Sequence, residues 1–180
     1  MNIFDCTTFY NEKMMMDVRF NILDQYVTKF IVVESIFSHS GKKKKLNFNI
    51  NDYPKFKDKI IYLTIDKEPE GLIKKENLEL DPLSKRLNSL KRIEQSYNYM
   101  SKGIEQASED DLIMLSDNDE IPNLSDFDFK KIHNNFIIFE QLFFYYKFNL
   151  LYDRMMWFGT KACKKKILKN FSTLRNIKNK

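Results

Sequence analysis

Apolar residues along this chain gather in short β-branched and aromatic runs separated by stretches of helical spacing, and that alternation sets the expected architecture. Ile3 to Phe9, Phe30 to Glu34 and Lys59 to Ile65 read as strands. Leu112 to Ser116 is a fourth, with little polarity on either face, as in a strand buried within a helix-covered sheet. Within Glu12 to Val27, Met15, Val18, Ile22 and Tyr26 recur at three- and four-residue spacing, the stripe of a helix lying on that sheet. Ser38 to Gly41 predicts a turn, Glu70 to Pro82 a polar mobile loop, and Leu83 to Ala107 a long amphipathic helix. The order β-α-β-β-α-β predicts an α/β fold, one domain over residues 1–180 around a mixed, mostly parallel central sheet flanked by helices. Phe136 to Leu151 reads as further strands, and the Lys-rich tail from Lys169 as irregular.

The fourth strand runs into Asp117-Asn118-Asp119-Glu120-Ile121-Pro122, which puts a cluster of carboxylates at its carboxyl end. In open α/β sheets that end is where ligands bind. If strand geometry runs on, Asp117 and Asp119 point to one side while Asn118 and Glu120 point to the other. Two carboxylates on one side suit Mg²⁺ or Mn²⁺, an ion usually completed by waters and substrate phosphates, so Asp-x-Asp reads as a clamp for a metal-diphosphate. An acidic surface turn capped by Pro122 is the alternative. The other strands also end near polar groups: Asn11-Glu12 after the first, Glu34 at the second and Asp66 after the third.

Composition narrows the classes further. Hydrophobic content of 43% with 16 Phe and 9 Tyr predicts a packed globule, and the charged 31% is too mixed in sign for a disordered chain. The formal net charge of +5 comes largely from Lys42 to Lys45, Lys164 to Lys166 and the tail, runs that read as solvated faces. No aromatic-basic RNA motif or zinc finger accompanies them, so nucleic acid is not the expected partner, while peripheral contact with an anionic membrane surface stays open. Phe136 to Tyr152, the most apolar segment, is broken by Glu140, Gln141, Lys147 and Asn149 and falls short of a membrane span. The start of the chain lacks the basic and apolar pattern of a signal peptide, and Cys6 and Cys163 make no disulfide framework or zinc spacing. Both point to a reducing cytoplasm.

Several of these segments, in order, resemble glycosyltransferase family 17, the β-1,4-N-acetylglucosaminyltransferase-like family. Phe9-Tyr10-Asn11-Glu12 is similar to its Phe-Asn-Glu, and Ile31-Val32-Val33-Glu34 followed by Ser40-Gly41-Lys42 to its Val-Glu and Ser-Gly-Lys segment. Ser116 to Pro122 resembles Ser-Asp-x-Asp-Glu-Ile-Pro, Tyr146-Lys147-Phe148-Asn149 resembles Tyr-x-x-Asn, and Trp157-Phe158-Gly159 resembles Trp-x-Gly. The resemblance spans residues 3 to 165 and implies a GT-A type nucleotide-sugar fold, an inverting transfer, and UDP-N-acetylglucosamine as donor.

On that resemblance Asp117 and Asp119 hold Mn²⁺ or Mg²⁺, and Asn11, Glu12, Glu34, Lys42 and Asp117 contact the UDP-sugar. Glu12 reads equally as a helix cap. Lys42 meets a phosphate, and Trp157 either stacks on a sugar or fills the core. Glu120, next to the clamp, is the candidate base for a glycan acceptor hydroxyl, although strand alternation turns it away from the metal side. Two departures from the family pattern stand out. Gln95-Ser96-Tyr97 lacks the family's arginine before Tyr97, and no Gly-Trp-His segment follows Lys169. The second implies a truncated or split enzyme that binds donor better than it transfers sugar. His39 and His133 read as surface or turn residues. A non-catalytic nucleotide-sugar or glycan-binding remnant and a different Mg²⁺-dependent nucleotidyl- or phosphotransferase are the competing classes.

Overall fold

The computed structural model describes residues 1–74, 79–132, 136–147 and 149–178. His133 and Phe148, and residues 75–78 of the expected polar loop, lie outside the described residues. Strand β1 (Ile3–Thr8) leads through helix α1 (Lys13–Leu23) to β2 (Lys29–Ser35), and two 3₁₀ segments precede β3 (Ile60–Ile65). Helix α2 (Pro82–Tyr99), extended by a 3₁₀ turn over Met100–Ile104, returns the chain to β4 (Leu112–Ser116). Then come β5 (Ile137–Ile138), β6 (Gln141–Phe144), β7 (Leu151–Trp157), β8 (Lys161–Lys164) and a short helix, α3 (Phe171–Arg175).

The main sheet has six strands in the order β3-β2-β1-β4-β8-β5. The first four run parallel, and β8 runs antiparallel to both of its neighbours. Strands β6 and β7 form a separate antiparallel hairpin. Because side chains alternate along a strand, each parallel strand feeds two cores. Ile3, Phe30, Val32, Leu112 and Met114 pack on the α1 side. Phe4, Cys6, Ile31, Val33, Ile113 and Leu115 pack with Tyr97, Met100, Phe171 and Leu174 on the side of α2 and α3. Both faces are covered, which is why β4 carries five apolar or small residues in a row.

Helix α1 uses a different face from the predicted one. Met16, Arg19, Phe20 and Leu23 are buried, while Val18 is 39% and Ile22 46% exposed. The two stripes are offset by about 100° of rotation, the turn per residue of an α-helix. Phe20 decides between them: its ring lies 4.7 Å from Phe30, 5.1 Å from Tyr53 and 5.5 Å from Phe56, a packing that neither Val18 nor Ile22 matches in size. The Lys-rich end is also more ordered than expected. Ala162 and Cys163 are fully buried in β8, and Asn170 caps α3 by accepting the Thr173 N–H at 2.7 Å, which seats Phe171 and Leu174 in the core.

Asp111, buried just ahead of β4, ties that strand to the N-terminus by accepting the Asn2 N–H at 2.6 Å and the Ser108 N–H at 2.8 Å. Burial by itself pushes the Asp111 carboxyl up, but the N–H bonds to its ionised form outweigh that and hold it below the usual carboxylate value. With an unfolded pKa of about 3.9, its stabilisation is complete above that pH and is lost as pH falls through the lower folded value. Urea midpoints taken from neutral pH downward should therefore show Asp111→Asn weaker than the parent near neutrality, the two curves converging in acid; a constant gap would refute this.

Candidate active site

The carboxyl ends of the parallel strands share one edge, since Thr7 pairs with Val32 of β2 on one side and with Ser116 of β4 on the other. The loops that leave this edge carry Asn11 and Glu12 after β1, His39 and Lys42 after β2, and the acidic cluster after β4. Strand geometry stops at Ser116. The Glu120 N–H donates to the Asp117 carbonyl at 3.0 Å, and the Asp117 N–H donates to Glu120 Oε2 at 2.9 Å, closing residues 117–120 into a turn. The expected alternation therefore does not apply: Asp117, Asp119 and Glu120 all line one cleft of about 1180 Å³.

A buried charge pair holds this turn from below. Arg19 and Asp5 are both fully buried, with Arg19 Nε 2.7 Å from Asp5 Oδ2 and Nη2 2.5 Å from Oδ1. The remaining Arg19 nitrogen, Nη1, donates to the carbonyls of Asp117 at 3.3 Å, Asn118 at 3.5 Å and Glu120 at 3.0 Å. Thr160 Oγ1 donates to the Glu120 carbonyl at 2.9 Å, so Ser116 is the donor in its 2.8 Å bond to Thr160. The Glu120 carboxylate also accepts Trp157 Nε1 at 2.8 Å. At Gly159 an added Cβ would stand 2.5 Å from Glu120 Cδ and 2.6 Å from Trp157 Nε1, so only glycine lets Trp157 and Glu120 close over the chain there. Sequence reasoning missed Arg19 and Asp5. Their signal was present as single charges inside an apolar helix stripe and an apolar strand, where a charge is stable only if paired.

Asp117 carries two partners of its own. Tyr97 of α2 donates its hydroxyl to Oδ1 at 2.6 Å, and Arg175 of α3 donates from Nη2 to Oδ2 at 2.7 Å. Arg175 Nε donates to the Tyr97 oxygen at 3.2 Å, which closes the three groups into a ring. Burial, and then the charge of Asp117, raises the Tyr97 phenol well above its ordinary value and keeps it a donor. Asp119 is exposed. Among the described residues no three His, Cys, Asp or Glu side chains converge as a closed metal cage. Asp117, with Tyr97 and Arg175 on its oxygens, and the exposed Asp119 instead put two carboxylates on one turn, hard donors of a kind that fits Mg²⁺ or Mn²⁺ when substrate phosphates complete the shell.

The other expected donor contacts divide. Glu34 is fully buried and fully engaged within the chain: it accepts the N–H groups of Asn47 at 2.8 Å and Phe48 at 3.0 Å, the Tyr62 hydroxyl at 2.8 Å, and an ion pair from Lys44. These bonds fasten the loop that follows β2. Glu12 Oε2 accepts the Tyr10 and Asn11 N–H groups, each at 2.9 Å, and so shapes the β1 loop without bonding the first turn of α1. Asn11 and Lys42 are exposed at the same edge. His39 stands close enough to feel Asp117, Glu12 and Arg92, and burial, aided by Arg92, lowers it from its ordinary value, so the imidazole is neutral near pH 7. Arg92 is committed to Glu68 through bonds of 2.7 and 3.0 Å, and its guanidinium crosses so close to Gly41, at φ +87°, that a side chain there would collide with it. Ser96, where the family's arginine is missing, bonds the Arg92 carbonyl at 3.1 Å.

On its far wall the cleft is apolar, lined by Met15 and Val18 of α1 and by Leu142, Phe144, Met156 and Trp157 of the hairpin. Trp157 is not core: it stacks on Phe143 at 5.6 Å and reaches into the cleft at Glu120. No helix among the described residues is long and apolar enough to cross a membrane. No curated protein and no solved structure matches the chain. The sequence model of glycosyltransferase family 17 matches residues 1–176. That span takes in the parallel strands, the acidic turn, the hairpin and α3 as one unit, and on this basis the chain belongs to glycosyltransferase family 17.

Proposed function

We propose that this glycosyltransferase moves N-acetylglucosamine from UDP-N-acetylglucosamine to a glycan hydroxyl with inversion, on a fold of the GT-A type. The observation that carries the reading is the convergence of Asp117, Asp119 and Glu120 on one cleft at the carboxyl end of the parallel strands. Asp117 and Asp119 would hold Mn²⁺ or Mg²⁺, and the chemistry such an ion supplies is neutralisation of charge on the diphosphate. Asn11 and Lys42 border the donor side, where a lysine acts as a point charge toward phosphate. Glu120 faces the acceptor side. Its two oxygens accept one N–H each, from Asp117 and Trp157, and a carboxylate keeps further lone pairs, enough to receive the acceptor's proton as C1 is attacked. Trp157, 39% exposed on the apolar wall, offers an aromatic face to a sugar ring.

Calorimetry of UDP-N-acetylglucosamine with Mn²⁺, with EDTA, and with Asp119→Ala tests the clamp. Because Asp119 is exposed, the variant should melt like the parent yet lose most metal-linked donor affinity, a loss of several kcal/mol in its charge term. Undiminished metal-dependent binding by Asp119→Ala would sink the reading, and release of inorganic phosphate in place of UDP would move the protein to another reaction class.

A further inference from the structure

In this conformation the position beside Asp117 is already taken by a cation that the chain supplies itself. Arg175 reaches Asp117 Oδ2 at 2.7 Å while its guanidinium lies 5.9 Å from the centre of the Tyr97 ring. The backbone under it is firmly set. Phe171 and Leu174 of α3 are buried in the core, and Lys161, buried in β8, bonds the Arg175 carbonyl through Nζ. The head group is only partly covered, with 27% of the side chain exposed. An anchored helix turn thus holds a guanidinium at the rim of the acidic turn, free at one side.

A guanidinium carries five N–H donors in a plane. Tyr97 takes Nε–H and Asp117 takes one hydrogen of Nη2, which leaves three for another acceptor. A planar fork with donors to spare is the group best matched to phosphate oxygens, which it binds in pairs. The ion pair it makes with Asp117 is partly solvated, so the guanidinium can exchange Asp117 for a diphosphate without leaving a charge buried and unpaired. We infer that Arg175 is a catalytic residue for the leaving group: parked on Asp117 without donor, it turns its fork to the diphosphate when donor binds. In the transfer itself the bond from sugar C1 to the diphosphate oxygen breaks, and its electron pair stays on that oxygen. The acceptor oxygen bonds C1 and its proton passes to a carboxylate. Arg175 donates to the oxygens that gain charge as this happens, the interaction that grows toward the transition state. The inference rests on the donor reading above and adds a residue from outside the acidic turn.

Parking on Asp117 has a consequence of opposite sign for two ligands. Arg175 competes with a divalent cation for Asp117 Oδ2 while donor is absent, and assists the diphosphate once it is present. Titration of Mn²⁺ alone, read by electron paramagnetic resonance of the free ion, should show Arg175→Gln binding the metal several-fold tighter than the parent. Calorimetry of UDP at saturating Mn²⁺ should show the same variant about tenfold weaker or worse, the equivalent of one charge-assisted hydrogen bond. Arg175→Lys, which keeps the charge and loses the fork, should recover only part of the UDP affinity. Should Arg175→Gln melt far below the parent, Arg175→Lys carries the UDP comparison alone. Unchanged UDP affinity in a folded variant, or Mn²⁺ binding that fails to tighten, overturns the inference. A parent protein that binds neither Mn²⁺ nor UDP overturns the donor reading and this inference with it, and is told apart by that parent result.

Discussion

Arg19→Met should cost about 3–5 kcal/mol of stability in urea unfolding, the loss expected when one partner of a buried ion pair is removed and the other is left charged. Both side chains are fully buried, so no water reaches Asp5 once the guanidinium is gone. The effect extends to function. Arg19 Nη1 is the shared donor to the carbonyls of Asp117, Asn118 and Glu120, and without it the acidic turn loses the contact that fixes it over β1. The double variant Asp5→Leu with Arg19→Met separates the two effects. Replacing both charges by apolar groups should restore much of the stability. It should not restore metal-dependent UDP binding, because the Arg19 Nη1 contact shared by the three carbonyls is still missing and only the Thr160 hydroxyl and the Glu120 N–H remain on two of them. A single variant within 1 kcal/mol of the parent, roughly the range of a surface substitution, would show that the pair does not hold the turn.

Glu34→Gln should be the next most damaging change, at about 2–4 kcal/mol, because an amide has one acceptor oxygen where the carboxylate has two. In the parent, Oε1 serves the Asn47 N–H and Lys44, while Oε2 serves the Phe48 N–H and the Tyr62 hydroxyl. With glutamine, one pair of donors faces an NH₂ group. Tyr62 cannot relieve the conflict by ionising, since burial and then its bond to Glu34 push the phenol well above its ordinary value. The loop after β2 should therefore open, with faster amide exchange at Asn47 and Phe48. This outcome also decides between two roles. If Glu34 fastens the loop, UDP binding weakens together with loop protection; if it contacts donor, affinity falls while exchange at Asn47 and Phe48 stays slow.

Much of the sheet was legible in the chain because the signal there is local. Runs such as Phe30 to Glu34 and Leu112 to Ser116 are apolar on both faces, a pattern that few environments except a covered parallel strand accept. The acidic turn was legible for the same reason: four polar residues directly after such a run stand where a strand must leave the sheet. Helix α1 shows where local reasoning fails. Two stripes of equal spacing were available, and the choice fell to the Phe30, Tyr53 and Phe56 rings and to Asp5, none of them part of the helix. Strand β8 was invisible because two of its four residues are lysines, and a short antiparallel strand is specified by β4 beside it more than by its own composition.

The sequence by itself determined the β-α-β-β-α-β order of the first six elements, the two-faced burial of the central strands and the place of Asp117, Asp119 and Glu120 at a strand's carboxyl end, since each follows from side-chain period and neighbouring residues alone. Only the tertiary structure decided what those acids face. Asp5 meets Arg19 and Asp117 meets Arg175 across separations of 14 and 58 residues, Glu34 turns inward to the loop instead of outward to the crevice, and Glu120 folds back beside Asp117 instead of away from it. Charges are strong or weak according to the partner and the solvent they meet, and both are properties of the packed chain, not of any one segment.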